Sequence, residues 1–206
     1  MKTGFIYPFV KFILEILKYL NLVEFFKFIA RQFNFQSRNL DRPKELDRIG
    51  TDIFIVSKWF FLITIWWTNH TNSFTTFVIW YLIITNVYTY LYYHIWTDDA
   101  LNTDDFTKDR IRRRFINLVL ALAFSHYCFA YLYQIPYSLD IDWGTKHPAS
   151  MYSIMFSFSN SLAANYSDIK PKTDVGNLIS NIQLLLTFIF ATIILSRSIP
   201  QTNSTI

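Results

Sequence analysis

The chain has 206 residues, of which 52% are hydrophobic and 19% aromatic, with only 17% charged and a formal charge of +4. Phe contributes 21 residues and Tyr 13; so apolar a chain is not an ordinary soluble domain and belongs to the membrane class. The one cysteine, Cys128, lies inside an apolar run, which excludes a disulfide framework and a CxxC metal site.

Residues 1 to 31 carry Lys2, Lys11, Glu15, Lys18, Glu24, Lys27 and Arg31, so the uninterrupted apolar core of a secretory signal is missing. Lys11, Glu15 and Lys18 share one helical face, and Glu24, Lys27 and Arg31 share another. At about 100° per residue the two faces point in nearly opposite directions, which predicts a break near Asn21 and two short amphipathic helices. They lie either in the membrane interface or on a partner protein. Residues 1–50 thus form an amphipathic, basic segment on the cytoplasmic side.

Four apolar runs follow, at 53–67, 74–96, 115–135 and 178–196. A helix needs about 20 residues to cross a bilayer core, and the second and third runs meet that outright. The first contains Lys58, which can snorkel to the headgroups. Residues 1–50 hold nine Lys and Arg, the turn at 68–73 none, 97–114 five, 136–177 three, and the tail one. Summing alternate sides gives fifteen against three, which predicts that both termini and the 98–114 loop are cytoplasmic. Trp66 and Trp67 then fall at the outer interface and Trp96 at the inner one. A first hairpin spans 51–97, and 198–206 forms a short cytoplasmic tail. The basic cluster Lys108, Arg110, Arg112, Arg113 and Arg114 fixes topology and meets anionic lipid; no nucleic-acid fold accompanies it. The acidic run Asp98, Asp99, Asp104 and Asp105 lacks the spacing of a calcium loop and reads as solvated.

Residues 136–177 are too long for a turn. Within them "PASMYSIMFSFSNSLAAN" reads as a helix of about four turns that starts at Pro148, with Ser150, Ser153, Ser157 and Ser161 on one face. It is too short to span, so from the outer side it must enter and return, and non-helical backbone survives at membrane depth only within protein or a watery cavity. In the last run Ser180, Gln183, Thr187 and Ala191 align as a stripe facing either a lumen or neighbouring helices. Leu184, Phe188 and Leu195 beside them could form a dewetting gate.

After the short helix, "LAANYSDIKPKTDVGNLI" resembles the filter and return segment of the tetrameric potassium-channel pore domain. Tyr166, Asp168, Pro171, Thr173 and Gly176 match in order, and residues 115–197 cover about 40% of the chain. The resemblance implies a filter-like loop at Ala163, Ala164, Asn165, Tyr166, Ser167 and Asp168, and a homotetramer. Ala163 and Ala164 fall on the family's Thr and Val positions, while Asn165 and Ser167 replace its two glycines. Asn tolerates left-handed backbone better than Ser, so Asn165 is the better substitute. Losing the Thr hydroxyl at Ala163 removes a ring of ligands, so strict potassium selectivity is not expected. The loop is either wider and hydrated or closed and structural.

Voltage sensing is excluded, because 74–96 holds no Lys or Arg. His126 reads as an interhelical hydrogen-bonding residue, His94 as a helix-end residue one turn from Asp98, and His70 and His147 as loop residues. HExxH, a phosphate-cradling glycine loop and a nucleophile elbow are all missing, so no catalytic residue, metal or cofactor is assigned. The expected fold is an all-α membrane protein: four transmembrane helices, a re-entrant pore helix and loop between the third and fourth, and an amphipathic N-terminal segment. Its expected function is a channel-like tetramer passing cations with weak or altered selectivity. The alternative is a non-conducting sensor or scaffold that anchors a soluble cytoplasmic partner. The Ile-, Asn-, Lys- and Phe-rich usage suits a bacterial inner-membrane protein, such as a subunit of a phage-defence system, by analogy of composition alone.

Overall fold

The computed structural model describes residues 4–19, 21–32, 42–96 and 108–198. The chain is mostly helical, and four helices are long and apolar enough to cross a membrane: Glu45–Trp67, Ser73–Leu91, Arg112–Gln134 and Asp174–Ile193. Two compact units divide the chain, Met1–Thr64 and Ile65–Ile206.

The first unit opens with α1 (Ile6–Tyr19) and α2 (Leu22–Gln32), which are separated at Asn21 as the charge pattern predicts. Asn21 Oδ1 accepts the Val23 amide at 3.1 Å, a side-chain cap on one of the free N–H groups that start a helix. In α1 the apolar residues Ile6, Phe9 and Phe12 are exposed. Helix α3 (Arg42–Trp67) starts with Pro43 and Glu45 in its first turn, where proline lacks no needed N–H and an acid suits the helix dipole. Helix α2 runs antiparallel to its start. The Arg31 guanidinium clasps Asp47 with two bonds of 2.5 Å, and Phe26 packs on Phe54 at 5.4 Å. Lys27 pairs with Glu24, so the second charged face is used within the unit. Because α3 begins eleven residues before the expected 53, Lys58 lies mid-helix. It is buried, with its amine 5.7 Å from the Phe54 ring centre.

The second unit contains α4 (Ser73–Leu91), α5 (Lys108–Gln134), a 3-10 turn (Ser138–Asp140), β1 (Ile141–Asp142), α6 (Ser150–Ser161), β2 (Lys170–Pro171) and α7 (Asp174–Ser198). Asn72 starts α4 by accepting the Thr75 amide at 2.6 Å. The expected second span, 74–96, is α4 followed by a π-helical turn at Tyr92–Trp96. The basic residues Lys108, Arg110 and Arg112 to Arg114, expected in a loop, belong instead to the first two turns of α5. Asp98, Asp99, Asp104 and Asp105 and the 198–206 tail fall outside the described residues, apart from Ser198.

Helices α4, α5 and α7 share an apolar core of Val87, Tyr90, Leu118, Ala121, Phe190 and Ile193. Polar groups inside it are bonded, as burial requires. Asn86 Nδ2 donates to the Ala121 carbonyl at 2.8 Å and to Ser125 Oγ at 3.0 Å, tying α4 to α5. Trp66 Nε1 donates to Gln134 Oε1 at 2.7 Å, and Tyr131 OH to the His70 carbonyl at 2.6 Å.

Between α5 and α7 lies a small cap that an all-α reading does not anticipate. Strands β1 and β2 pair antiparallel, Ile141 with Pro171 and Asp142 with Lys170. Ile141, Trp143 and Ile169 are buried there, and Trp143 Nε1 donates to the Ser138 carbonyl. Thr173 precedes α7, where its Oγ1 accepts the Gly176 amide at 3.1 Å and its carbonyl accepts Asn177 N–H at 2.9 Å. The same hydroxyl donates to Asp140 Oδ1 at 2.6 Å. Gly176 is required by this close approach, since a Cβ there would strike the Asp140 carbonyl oxygen.

Candidate functional site

The short helix α6 has 12 residues, about 18 Å at 1.5 Å per residue, against about 30 Å of bilayer core. It begins at Ser150, with Ala149 extended at φ −132° as its cap. Pro148 is therefore one residue before the cap and not the first helical residue, because its rigid ring leads the chain in rather than opening the turn.

Serines 153 and 157 are completely buried. Ser153 Oγ donates to the Ser150 carbonyl at 2.9 Å and lies 3.4 Å from Gln134 Oε1. Ser157 Oγ donates to the His126 carbonyl of α5 at 2.8 Å. His126 lies eight residues before the end of α5, which is about 12 Å along that helix. On the other side, Gln183 of α7 donates through Nε2 to the Ser157 carbonyl at 2.9 Å and to Ser157 Oγ at 2.6 Å. Gln183 lies nine residues into α7, about 14 Å from its start. The end of α6 is thus pinned well inside the length of both neighbouring helices.

Two further residues close the seam, and the sequence reading assigned neither of them. Tyr133 OH donates to Gln183 Oε1 at 2.8 Å. Asn160 Nδ2 donates to the same oxygen at 2.8 Å and to the Ser180 carbonyl at 3.1 Å, while Ser180 Oγ donates to Asn160 Oδ1 at 2.5 Å. Asn160 follows Ser157 by three residues, so the helical spacing that gathers the serines would have gathered it too. Tyr133 carries no pattern; it was hidden among aromatics.

The stripe on α7 divides. Ser180 and Gln183 are buried in the seam, Thr187 returns its hydroxyl to the Gln183 carbonyl at 2.9 Å, and Ala191 is exposed. Of the gate residues, Phe188 is 70% exposed and Leu184 half-buried; the Leu195 side chain lies outside what is described. The outward face of α7 carries Leu178, Asn181, Leu185 and Phe188. His126 makes its interhelical hydrogen bond through its backbone carbonyl, which accepts Ser157 Oγ, and not through its ring nitrogen Nδ1. Its Nδ1 pairs with the Leu122 carbonyl of its own helix at 2.7 Å, and since a carbonyl only accepts, Nδ1 carries the hydrogen. Its ring meets α6 by stacking on Phe158 at 4.8 Å. The His94 side chain and Asp98 lie outside the described residues.

The loop after α6 is built from two left-handed residues. Ala163 has φ 54° and Ser167 φ 55°, whereas Asn165, expected to be the better glycine substitute, is not left-handed. The Ala163 amide bonds the Asn160 carbonyl at 2.9 Å and the Ala164 amide the Ser159 carbonyl at 2.8 Å. That pattern is a Schellman cap with alanine at the usual glycine position. Tyr166 and Ile169 then close a tight turn, Ile169 N–H to Tyr166 carbonyl at 3.2 Å. Gly144, at φ +58°, backs the loop so closely that a Cβ on it would lie 2.7 Å from Asp168 Cβ. Residues Leu162 to Asn165, Ser167 and Asp168 are exposed, with Tyr166 half-buried. Among the described residues no cluster of three or more His, Cys, Asp or Glu could hold a metal, and Cys128 is buried and in no disulfide.

No protein-family model, curated protein or solved structure matches this chain.

Proposed function

We propose that this chain is a subunit of a channel-like membrane assembly, in which α5, α6, the 163–168 loop and α7 surround a central water-filled passage for cations. One observation carries the reading. Helix α6 is pinned by Ser157 and Gln183 about 12 to 14 Å along its two span-length neighbours, yet the irregular loop that follows it is exposed. Asn160, just before the loop, bonds Ser180 six residues into α7, about 9 Å along it; lipid hydrocarbon cannot satisfy exposed irregular backbone inside the membrane, so water or further protein must cover it. Several copies arranged around the loop provide both, and a tetramer is the assembly that the sequence resemblance implies. The basic start of α5 then faces anionic cytoplasmic lipid.

The passage is not a strict potassium filter. The Tyr166 carbonyl is taken by Ile169 N–H, and no hydroxyl stands at Ala163. Asp168 and Asp174 favour cations by charge, partly offset by Lys170 and Lys172, and charge alone does not separate one monovalent cation from another. Because Ser180 and Gln183 are spent within the seam, the lumen side of α7 is better assigned to Asn181, Leu185 and Phe188, with Phe188 as the constriction.

One feature favours a second reading, a non-conducting sensor or scaffold of the same fold. A hydrogen-bonded turn and a fully satisfied seam suit a closed structural loop as well as an open one. Ion flux from liposomes holding the full chain separates the two. The channel reading predicts potassium and sodium flux of similar size, raised several-fold by Phe188→Ala. Flux no greater than in empty liposomes, for both wild type and Phe188→Ala, overturns it in favour of the scaffold.

A further inference from the structure

We propose that the outward stripe of α6 and its cap residue, formed by Met151, Met155, Phe158 and Leu162, is covered by a second copy of this chain. The inference rests on the oligomeric part of the reading above and gives it a surface. These residues recur at spacings of four, three and four, which lines them along one face of a helix. Met151 is 66% and Leu162 77% exposed, opposite the completely buried Ser153 and Ser157. The helix thus buries Ser153 and Ser157 beside Phe156 and turns an apolar stripe outward.

Lipid alone could cover such a stripe, but it could not cover what adjoins it. Leu162 leads directly into the exposed loop with Asn165, Ser167 and Asp168, whose irregular backbone hydrocarbon cannot satisfy. The return segment then presents Asp168, Lys170, Lys172 and Asp174, all exposed. Among the described residues none of these four takes part in an ion pair. Two acids and two lysines on one short segment are self-complementary: the acids of one copy can meet the lysines of the next. A foreign partner of one charge would satisfy only half of them, and lipid tails neither. An apolar stripe bordered by balanced, unpaired charge is the composition of a subunit interface, apolar at its centre and polar at its rim.

A photo-crosslinking amino acid, benzoylphenylalanine, placed in the full chain at Met155 or at Leu162 tests this in the membranes of the expressing cell. Phe77, 67% exposed on α4, is the comparison site. The proposal predicts adducts at twice the 24.6 kDa chain mass at both α6 positions, at least fivefold stronger than at Phe77. Lipid adducts alone, adducts with a different protein, or dimers as strong at Phe77 as on α6 would each overturn it. Liposome flux is read separately. Dimers without flux keep this interface and remove the pore, whereas flux without α6 dimers removes the interface and keeps the pore.

Discussion

Ala163 sits in a backbone conformation that glycine adopts at little cost, and the whole turn out of α6 depends on it. At φ 54° an L-residue brings its Cβ against the carbonyl that follows. Replacing it removes that strain, so Ala163→Gly should raise stability by about 1 kcal/mol, read as an upward shift of the unfolding midpoint in detergent. Asn165→Gly, at a residue that is not left-handed, should instead be neutral or slightly destabilising. The contrast matters because sequence reasoning chose the wrong position. Matching a filter pattern put the left-handed residues at Asn165 and Ser167, and the structure has them at Ala163 and Ser167. Ala163 was illegible because nothing in its side chain signals a left-handed turn. What fixes the turn is the pair of bonds from the Ala163 and Ala164 amides back to the Asn160 and Ser159 carbonyls.

Among the elements, α6 is held by polar contacts as well as by the buried Phe156 against Tyr133, and Gln183 is the main polar fastener. That one amide makes four hydrogen bonds, to Ser157 twice, Tyr133 and Asn160. Membrane-interior hydrogen bonds average well under 1 kcal/mol each because the unfolded state finds partners too. Stranding Tyr133, Ser157 and Asn160 together should nevertheless cost about 1 to 3 kcal/mol in Gln183→Leu. Thr187, bonded only to its own helix, should tolerate Val within about 0.5 kcal/mol. Comparing the two unfolding midpoints checks this; equal losses would mean that the seam does not hold α6. The element itself was legible, since serines at helical spacing after a proline mark a short helix with a polar side. Which way that side faces was not legible. Ser180 and Gln183 have the same spacing whether they line a lumen or a helix contact, and only the positions of Tyr133 and Asn160 decide between them. Likewise the two-residue strands β1 and β2 leave no periodicity to read; they form because the ends of α5 and α7 bring Ile141 and Pro171 together.

At the scale of the whole molecule, hydropathy and charge legibly gave four spanning-length helices and the break at Asn21. The ends were less so: α3 starts at Arg42 and α5 at Lys108, because Lys and Arg are good helix formers that hydropathy discounts. Arrangement of copies is written nowhere in a single chain's pattern except as unsatisfied surface, here the exposed loop beyond α6 and the apolar stripe beside it. The account therefore stands or falls on whether copies meet around that loop. Measuring the native mass of the full chain in lipid nanodiscs is the most direct test. The predicted result is a single species of four chains, unchanged on dilution within the disc preparation; discs that hold one chain each, with the loop still intact, would contradict it.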